Sequence, residues 1–270
     1  MSGPDAPVPN RPAPKVNPAE LPTWLLEEDA DFLVFDKPGW LVCHPSKDGP
    51  WSSLVGAVRV WKSLETLHLV SRLDRETSGI ILIAKHAAAA SLAQTAMERR
   101  WVAKTYFALL KGELRAPVQV DQPLGDDETS KVAVKTAVRT GPGTLPAATF
   151  FEPALVGGGY TLARVSPHTG RKHQIRAHAL WLGYPVVGDK LYGGDDSLYL
   201  EFVEQGWTDH LATRLEMPRQ ALHAAQLDFR APLFQRIFRA PLAPDMHAFA
   251  LAKMGVTAEQ LAAVLAFPAA

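Results

Sequence analysis

The stretch "HLVSRLDRETSGIILIAK", residues 68 to 85, sets Arg72, Asp74, Arg75 and Glu76 beside Thr77, Ser78 and Gly79, just ahead of the apolar run Ile80 to Ala84. A short apolar run bounded by turn residues reads as a buried strand. The charged cluster then sits at its entrance, where a scaffold can hold a side chain over a cleft. A carboxylate held there can act as a nucleophile. It must be ionised, and a guanidinium partner both lowers a carboxyl's pKa and orients it. Taken alone, an Asp between two arginines is more often part of a solvated ion-pair face. Two further stretches change that weighing. "KTYFALLKG" supplies Tyr106 in a strand flanked by Lys104 and Lys111. "HTGRKHQIRAH" supplies a Gly-marked turn into a helix, bringing Arg171, Lys172, His173 and Arg176 and the backbone N–H groups of its first turn toward one site.

The elements that must position these residues follow from the same patterns. "DFLVFDKPG" alternates and ends in Pro-Gly, a strand and a turn. Ala87 to Arg100 reads as a helix, and "KTYFALLKG", "GYTLARVSP" and "ALHAAQLDF" as strands. Gln174 to Leu182 is a helix closed by Gly183. Strands and helices interleave without regular alternation, which predicts the α+β class: a mixed, largely antiparallel sheet with helices packed on it. Residues 1–23 are Pro-rich and aperiodic and read as a mobile or extended tail, with one catalytic domain over 24–270. Gly112 to Pro146 and Gly194 to Pro218 read as loops.

Lys and Arg together number 28, as do Asp and Glu, so the whole molecule makes no electrostatic case for a polyanionic partner. The distribution does. Between Pro153 and Gly188 there is no acidic residue, while Arg164, Arg171, Lys172 and Arg176 fall there with His168, His173 and His178. Nucleic-acid contacts need only such a patch. The three histidines are five residues apart, do not share a helical face and have no Cys or acidic companions, so no metal site is expected. "VVGDKLYGG" places Asp189 and Tyr192 in a Gly-rich turn read as shaping the rim of the site. The lone cysteine, Cys43, reads as a small buried residue on a strand and fits a reducing, cytoplasmic setting. No apolar run is long enough to span a bilayer.

The stretches "FDKPGWLVCHPS", "SRLDRETSGIILIAK", "KTYFALLKG", "TGRKHQIRAHALWLGYPVVGDKLYG" and "LHAAQLDF" occur in the order and at about the spacing of the RluA-type RNA pseudouridine synthases, so residues 25–232 resemble that family. The resemblance implies that this is an isomerase converting uridine to pseudouridine in RNA without a cofactor. It implies that Asp74 attacks the flipped uridine so that the base detaches, rotates and rejoins the ribose through carbon. It further implies that Arg176 pairs with that carboxylate, that Tyr106 lies against the base and handles a proton, and that Arg72 enters the space the base leaves. Arg171, Lys172 and His173 are expected to bind the substrate. The family commonly has His before Arg-Leu-Asp, where this chain has Ser71. The segment ahead of Trp24 is shorter than the RNA-binding module of roughly sixty residues that many relatives carry, a size near the lower bound for an independent domain. The expected partner is a stem-loop of rRNA or tRNA, and the expected state a monomer.

Two other readings use the same residues. A non-catalytic RNA-binding module needs only cations and stacking, so its function survives loss of Asp74. A glycosylase with the same carboxylate releases free uracil.

Overall fold

A computed structural model describes residues 14–44 and 48–267. Among these the strands are β1 (Leu25–Glu28), β2 (Phe32–Lys37), β3 (His68–Leu69), β4 (Ser78–Ala84), β5 (Val102–Lys111), β6 (Val118–Asp121), β7 (Leu124–Asp126), β8 (Thr136–Val138), β9 (Ala148–Gly157), β10 (Tyr160–Pro167), β11 (Leu222–Ala231) and β12 (Phe234–Arg239). The α-helices are α1 (Leu21–Trp24), α2 (Leu54–Lys62), α3 (Ala87–Glu98), α4 (Gln174–Trp181), α5 (Asp196–Gln205), α6 (Asp209–Leu215), α7 (Pro244–Lys253) and α8 (Ala258–Leu265).

One sheet runs β1-β2-β4-β11-β5-β10-β9-β6, with β3 on β4 and β12 on β11, while β7 and β8 form a separate ribbon. Every pairing is antiparallel except β4 with β11, where His223 faces Ser78 and Ala224 faces Gly79. This is the mixed, largely antiparallel α+β sheet expected from the sequence.

β4 explains the continuous apolar run. Ile81 and Ile83 pack with Leu33, Phe35 and α2 residues on one face, while Ile80, Leu82 and Ala84 pack with Phe32, Val34 and the alanines of α3 on the other. A strand covered on both faces has no polar side to alternate with. The other half of the sheet, β5, β10 and the start of β11, packs with Ile175 and Ala179 of α4 and with Met246, Phe249 and Leu261 of α7 and α8.

The seam between β4 and β11 positions the site. Gly79 lies at φ +108°, and a Cβ there would stand 2.2 Å from the Ala224 carbonyl oxygen, so only glycine lets the two backbones approach this closely. On the far side of β11, Ala224 pairs with Tyr106 of β5. The turn ahead of β4, the start of β11 and the middle of β5 are thereby brought side by side.

Three expectations change. Val16 and Leu21 are buried in the core beside α2, and the Val16 amide donates to the Trp51 carbonyl at 2.7 Å, so residues 14–23 dock on the domain; residues 1–13 lie outside the described residues. Two apolar residues at the right spacing were enough to anchor a Pro-rich segment. Cys43 is buried but sits in a bend beside the cleft, with its thiol against the Leu73 carbonyl at 3.4 Å, not on a strand. The segments read as loops hold β6, β7 and β8 in one case and α5 and α6 in the other.

Candidate active site

Asp74 lies in the turn that enters β4, closed by the Thr77 amide donating to the Asp74 carbonyl at 3.2 Å. Three cations pin this turn from behind. Fully buried Lys37 donates to the carbonyls of Pro38, Leu41 and Arg75 at 2.8, 2.8 and 3.0 Å. Arg219 donates to the Glu76 carbonyl at 3.1 Å, and Lys190 pairs with the Glu76 carboxylate at 2.6 Å. The Asp74 side chain is left facing a cleft of about 570 Å³ lined also by Arg72, Tyr106, Arg171, Lys172, His173 and Arg176. The seven residues picked out by the sequence therefore share one cavity.

Arg176 reaches this cleft from α4. Its Nη1 donates to Asp74 Oδ2 at 2.8 Å, while its Nε and Nη2 donate to the two oxygens of Asp189 at 2.6 and 2.9 Å. Asp189 is fully buried and also accepts from the Leu191 and Tyr192 amides, each at 3.0 Å. The fork is locked on its structural partner and extends its remaining nitrogen to Asp74. The Tyr192 ring lies 4.8 Å beneath the guanidinium. Gln220, two residues ahead of β11, donates to Thr77 Oγ1 at 2.6 Å and lies 3.5 Å from Asp74 Oδ2.

Asp189 and Tyr192 are thus not the rim the sequence suggested; they are the buried support of Arg176. An Asp in a Gly-rich turn reads as a surface residue, and only the fold brings it under α4. The signal available was Gly188, at φ +74°, where a Cβ would stand 2.0 Å from the Arg219 carbonyl oxygen: this turn is pressed against the strand entrance that carries Gln220.

Burial in the cleft opposes ionisation of Asp74, but the Arg176 guanidinium and its hydrogen bond outweigh it and hold the carboxyl below its ordinary range. Burial likewise opposes charge on Arg176, and Asp189 with Asp74 overcomes it, so this arginine stays charged. Burial, with the charge of Asp74, pushes the Tyr106 phenol up. His173 caps α4 in the left-handed conformation at φ 55°, with Nδ1 3.1 Å from the Tyr192 hydroxyl and Nε2 3.9 Å from Asp74. Burial and then Arg176 pull its ring down to about 4, so it is neutral at pH 7.

The remaining expected residues are arranged around the mouth. Exposed Arg72 rests on His44, Nη1 to Nε2 at 2.9 Å. Arg171 Nε donates to the Pro146 carbonyl at 3.1 Å, and Lys172 lies 3.5 Å from Asp126. Ser71 also lines the cleft. His178 is buried between Thr149 and the Gln122 carbonyl, and His168 is exposed, so the three histidines occupy separate environments.

The family model described as RNA pseudouridylate synthase matches residues 31–181, a span that holds both the Arg-Leu-Asp-Arg and the His-Gln-Ile-Arg stretches. The chain belongs to the RluA-type RNA pseudouridine synthases. It is an enzyme that converts uridine in RNA to its C-glycosidic isomer. Among relatives of this synthase, the uncharacterized RNA pseudouridine synthase YjbO of Bacillus subtilis is 35% identical over 233 residues, covering 84% of this chain and 75% of the relative. The ribosomal large subunit pseudouridine synthase D of Vibrio vulnificus is 32% identical over 233 residues, covering 84% of this chain and 69% of the relative. The structure of human RNA pseudouridylate synthase domain containing 1 superposes with a TM-score of 0.64 at 25% identity, covering 91% of this chain and 96% of that one. That of human domain containing 4 shares the fold with a TM-score of 0.71 at 23% identity, covering 89% and 96%. Among the described residues no helix of the synthase is long and apolar enough to cross a membrane.

Proposed function

We propose that Asp74 is the group on which the isomerisation turns, and that the substrate is a uridine in a structured stem-loop, with large-subunit ribosomal RNA favoured by the relative that acts on it. The observation that carries this is the single hydrogen bond from Arg176, itself clamped by Asp189, to a carboxylate facing a cleft of about 570 Å³. The target base is stacked in RNA, so its nucleotide must be flipped into the cleft, with Arg72 at the mouth to fill the vacated space. Ionised Asp74 then supports cleavage of the N1–C1′ bond, as a covalent partner at C1′ or as a counter-charge to the electron-poor sugar. The base rotates, C5 bonds to C1′, the C5 proton leaves and N1 gains one. The change is neutral in mass and redox state, so it calls for no cofactor.

Tyr106 covers the base and keeps water from the sugar, which separates isomerisation from hydrolysis. Its role in moving the proton depends on Asp74. Burial, and then the charge of Asp74, keep the phenol protonated at rest, and neutralisation of that charge in an adduct removes the lesser of these two barriers to ionisation when the C5 proton must leave.

Pseudouridine mapping of rRNA and tRNA from cells with and without the gene tests the substrate: one or a few uridines in a stem-loop lose the modification. An unchanged map in both RNA classes contradicts the proposal, and free uracil from purified protein and RNA replaces it with a glycosylase.

A further inference from the structure

The cations around the cleft are mostly engaged. Arg176 holds two carboxylates, Arg72 rests on His44, Arg171 on the Pro146 carbonyl and Lys172 near Asp126, while Arg75 is exposed to solvent. Lys104 differs from all of these. It lines the cleft two residues before Tyr106 on β5, and its stem is half-buried. Its ammonium lies 3.7 Å from the position a Cβ on Gly170 would occupy, so it reaches across the cleft to the turn before α4. Among the described residues it has no hydrogen-bonding or ionic partner. Lys111, at the other end of the same strand, pairs with Glu216 at 3.2 Å and donates to the Arg214 carbonyl at 2.7 Å.

An ammonium partly desolvated at the cleft wall, with no carboxylate or carbonyl to hold it, is incompletely satisfied in the free protein, and burial pulls its pKa down. Such a group is satisfied by an anion that arrives with the ligand. Among the described residues Asp74 is the sole acidic side chain in the lining, and it is already held by Arg176. The anion that RNA must bring into a cleft accepting one flipped nucleotide is a phosphodiester on either side of it.

We propose that Lys104 is a phosphate-binding residue that takes the backbone phosphate flanking the uridine in the cleft, an inference that rests on the uridine-isomerase reading. It acts on the nucleotide's placement: Tyr106 covers the base, Asp74 faces the sugar, and Lys104 fixes the phosphate, so three parts of one nucleotide meet three residues of the site.

The test is a cycle of protein and RNA changes on a synthetic stem-loop bearing the mapped uridine, with a neutral methylphosphonate placed 5′ of the target, 3′ of it, or at a remote position. For wild-type protein, neutralising one flanking phosphate lowers kcat/KM roughly ten- to hundredfold, as expected for losing a hydrogen bond to a charged group. Lys104→Met shows that loss on unmodified RNA and little further loss on the same methylphosphonate, whereas Lys104→Arg recovers most of the activity. Lys104→Gln repeats the cycle with a polar end in case the Met variant folds poorly. On bulk RNA, where no target need be known, Lys104→Met lowers the slope of log affinity on log salt by about 0.7. Multiplied losses at both flanking positions, or an unchanged slope, overturn the proposal. Failure of wild-type protein to turn over the unmodified stem-loop speaks against the uridine reading instead.

Discussion

The charges of the site form a chain: Asp189 holds Arg176, and Arg176 holds Asp74. Removing one end of a buried pair leaves the other uncompensated, so Asp189→Asn is expected to cost about 3–5 kcal/mol by urea denaturation. It also loosens the guanidinium that orients Asp74. With Asp74 as the proposed catalytic carboxylate, the acid limb of activity is expected to report its ionisation. Because its pKa is depressed in the fold, the carboxylate stays ionised as pH falls through the ordinary range near 3.9 and is lost only below it. In Arg176→Gln the opposing effect of burial prevails, and the acid limb of kcat/KM moves to higher pH; an unmoved limb contradicts the pairing. Asp74, Tyr106 and Arg176 were legible in the sequence because each sits in a distinctive motif. Asp189 and Gln220 were not, since what makes them part of the site is contact across more than a hundred residues from Asp74 or across the turn between α4 and Asp189.

At the scale of elements, the parallel contact between β4 and β11 is the hinge of the design. Gly79→Ala places a methyl against the Ala224 carbonyl at a φ that L residues resist, and is expected to cost at least about 1–3 kcal/mol and to lower kcat by shifting the Asp74 turn. A normal melting curve with normal turnover would contradict this. At the same seam fully buried His223 accepts or donates at Nδ1 with Ser78 Oγ at 2.9 Å, and burial pulls its ring from 6.5 to about 4. The unfolded chain takes up a proton below about 6.5 that the folded one refuses until about 4. Stability from this group is therefore full above pH 6.5 and is lost as pH falls toward 4. Urea midpoints at pH 7.5 and 5.0 should differ less in His223→Asn than in wild type. The apolar run of β4 and the alanine-rich α3 were legible from periodicity. The short β6, β7 and β8 and the helices α5 and α6 were not, because three to ten residues of mixed character give no period to read.

At the scale of the molecule, a protein with equal numbers of acidic and basic residues lines one cleft with Arg72, Arg75, Lys104, Arg171, Lys172 and Arg176 against a single acidic residue, Asp74, among the described residues. RNA affinity should fall steeply with salt, and Arg171→Gln and Lys172→Gln should each reduce the salt slope by about one while weakening different RNAs alike. Equal slopes for wild type and variants would mean that these two cations lie outside the RNA path. The fold class and the order of the motifs were readable from the chain. The docking of residues 14–23 was not, because composition averages over Val16 and Leu21, the two side chains that do the packing. The central claim is that one ionised carboxylate carries the isomerisation, and release of tritium from 5-tritiated uridine in unmodified RNA measures it most directly. Wild-type protein should release tritium with turnover, and Asp74→Asn should fold and bind RNA yet lose roughly 10⁴-fold or more in rate. Equal release by the two proteins would contradict it.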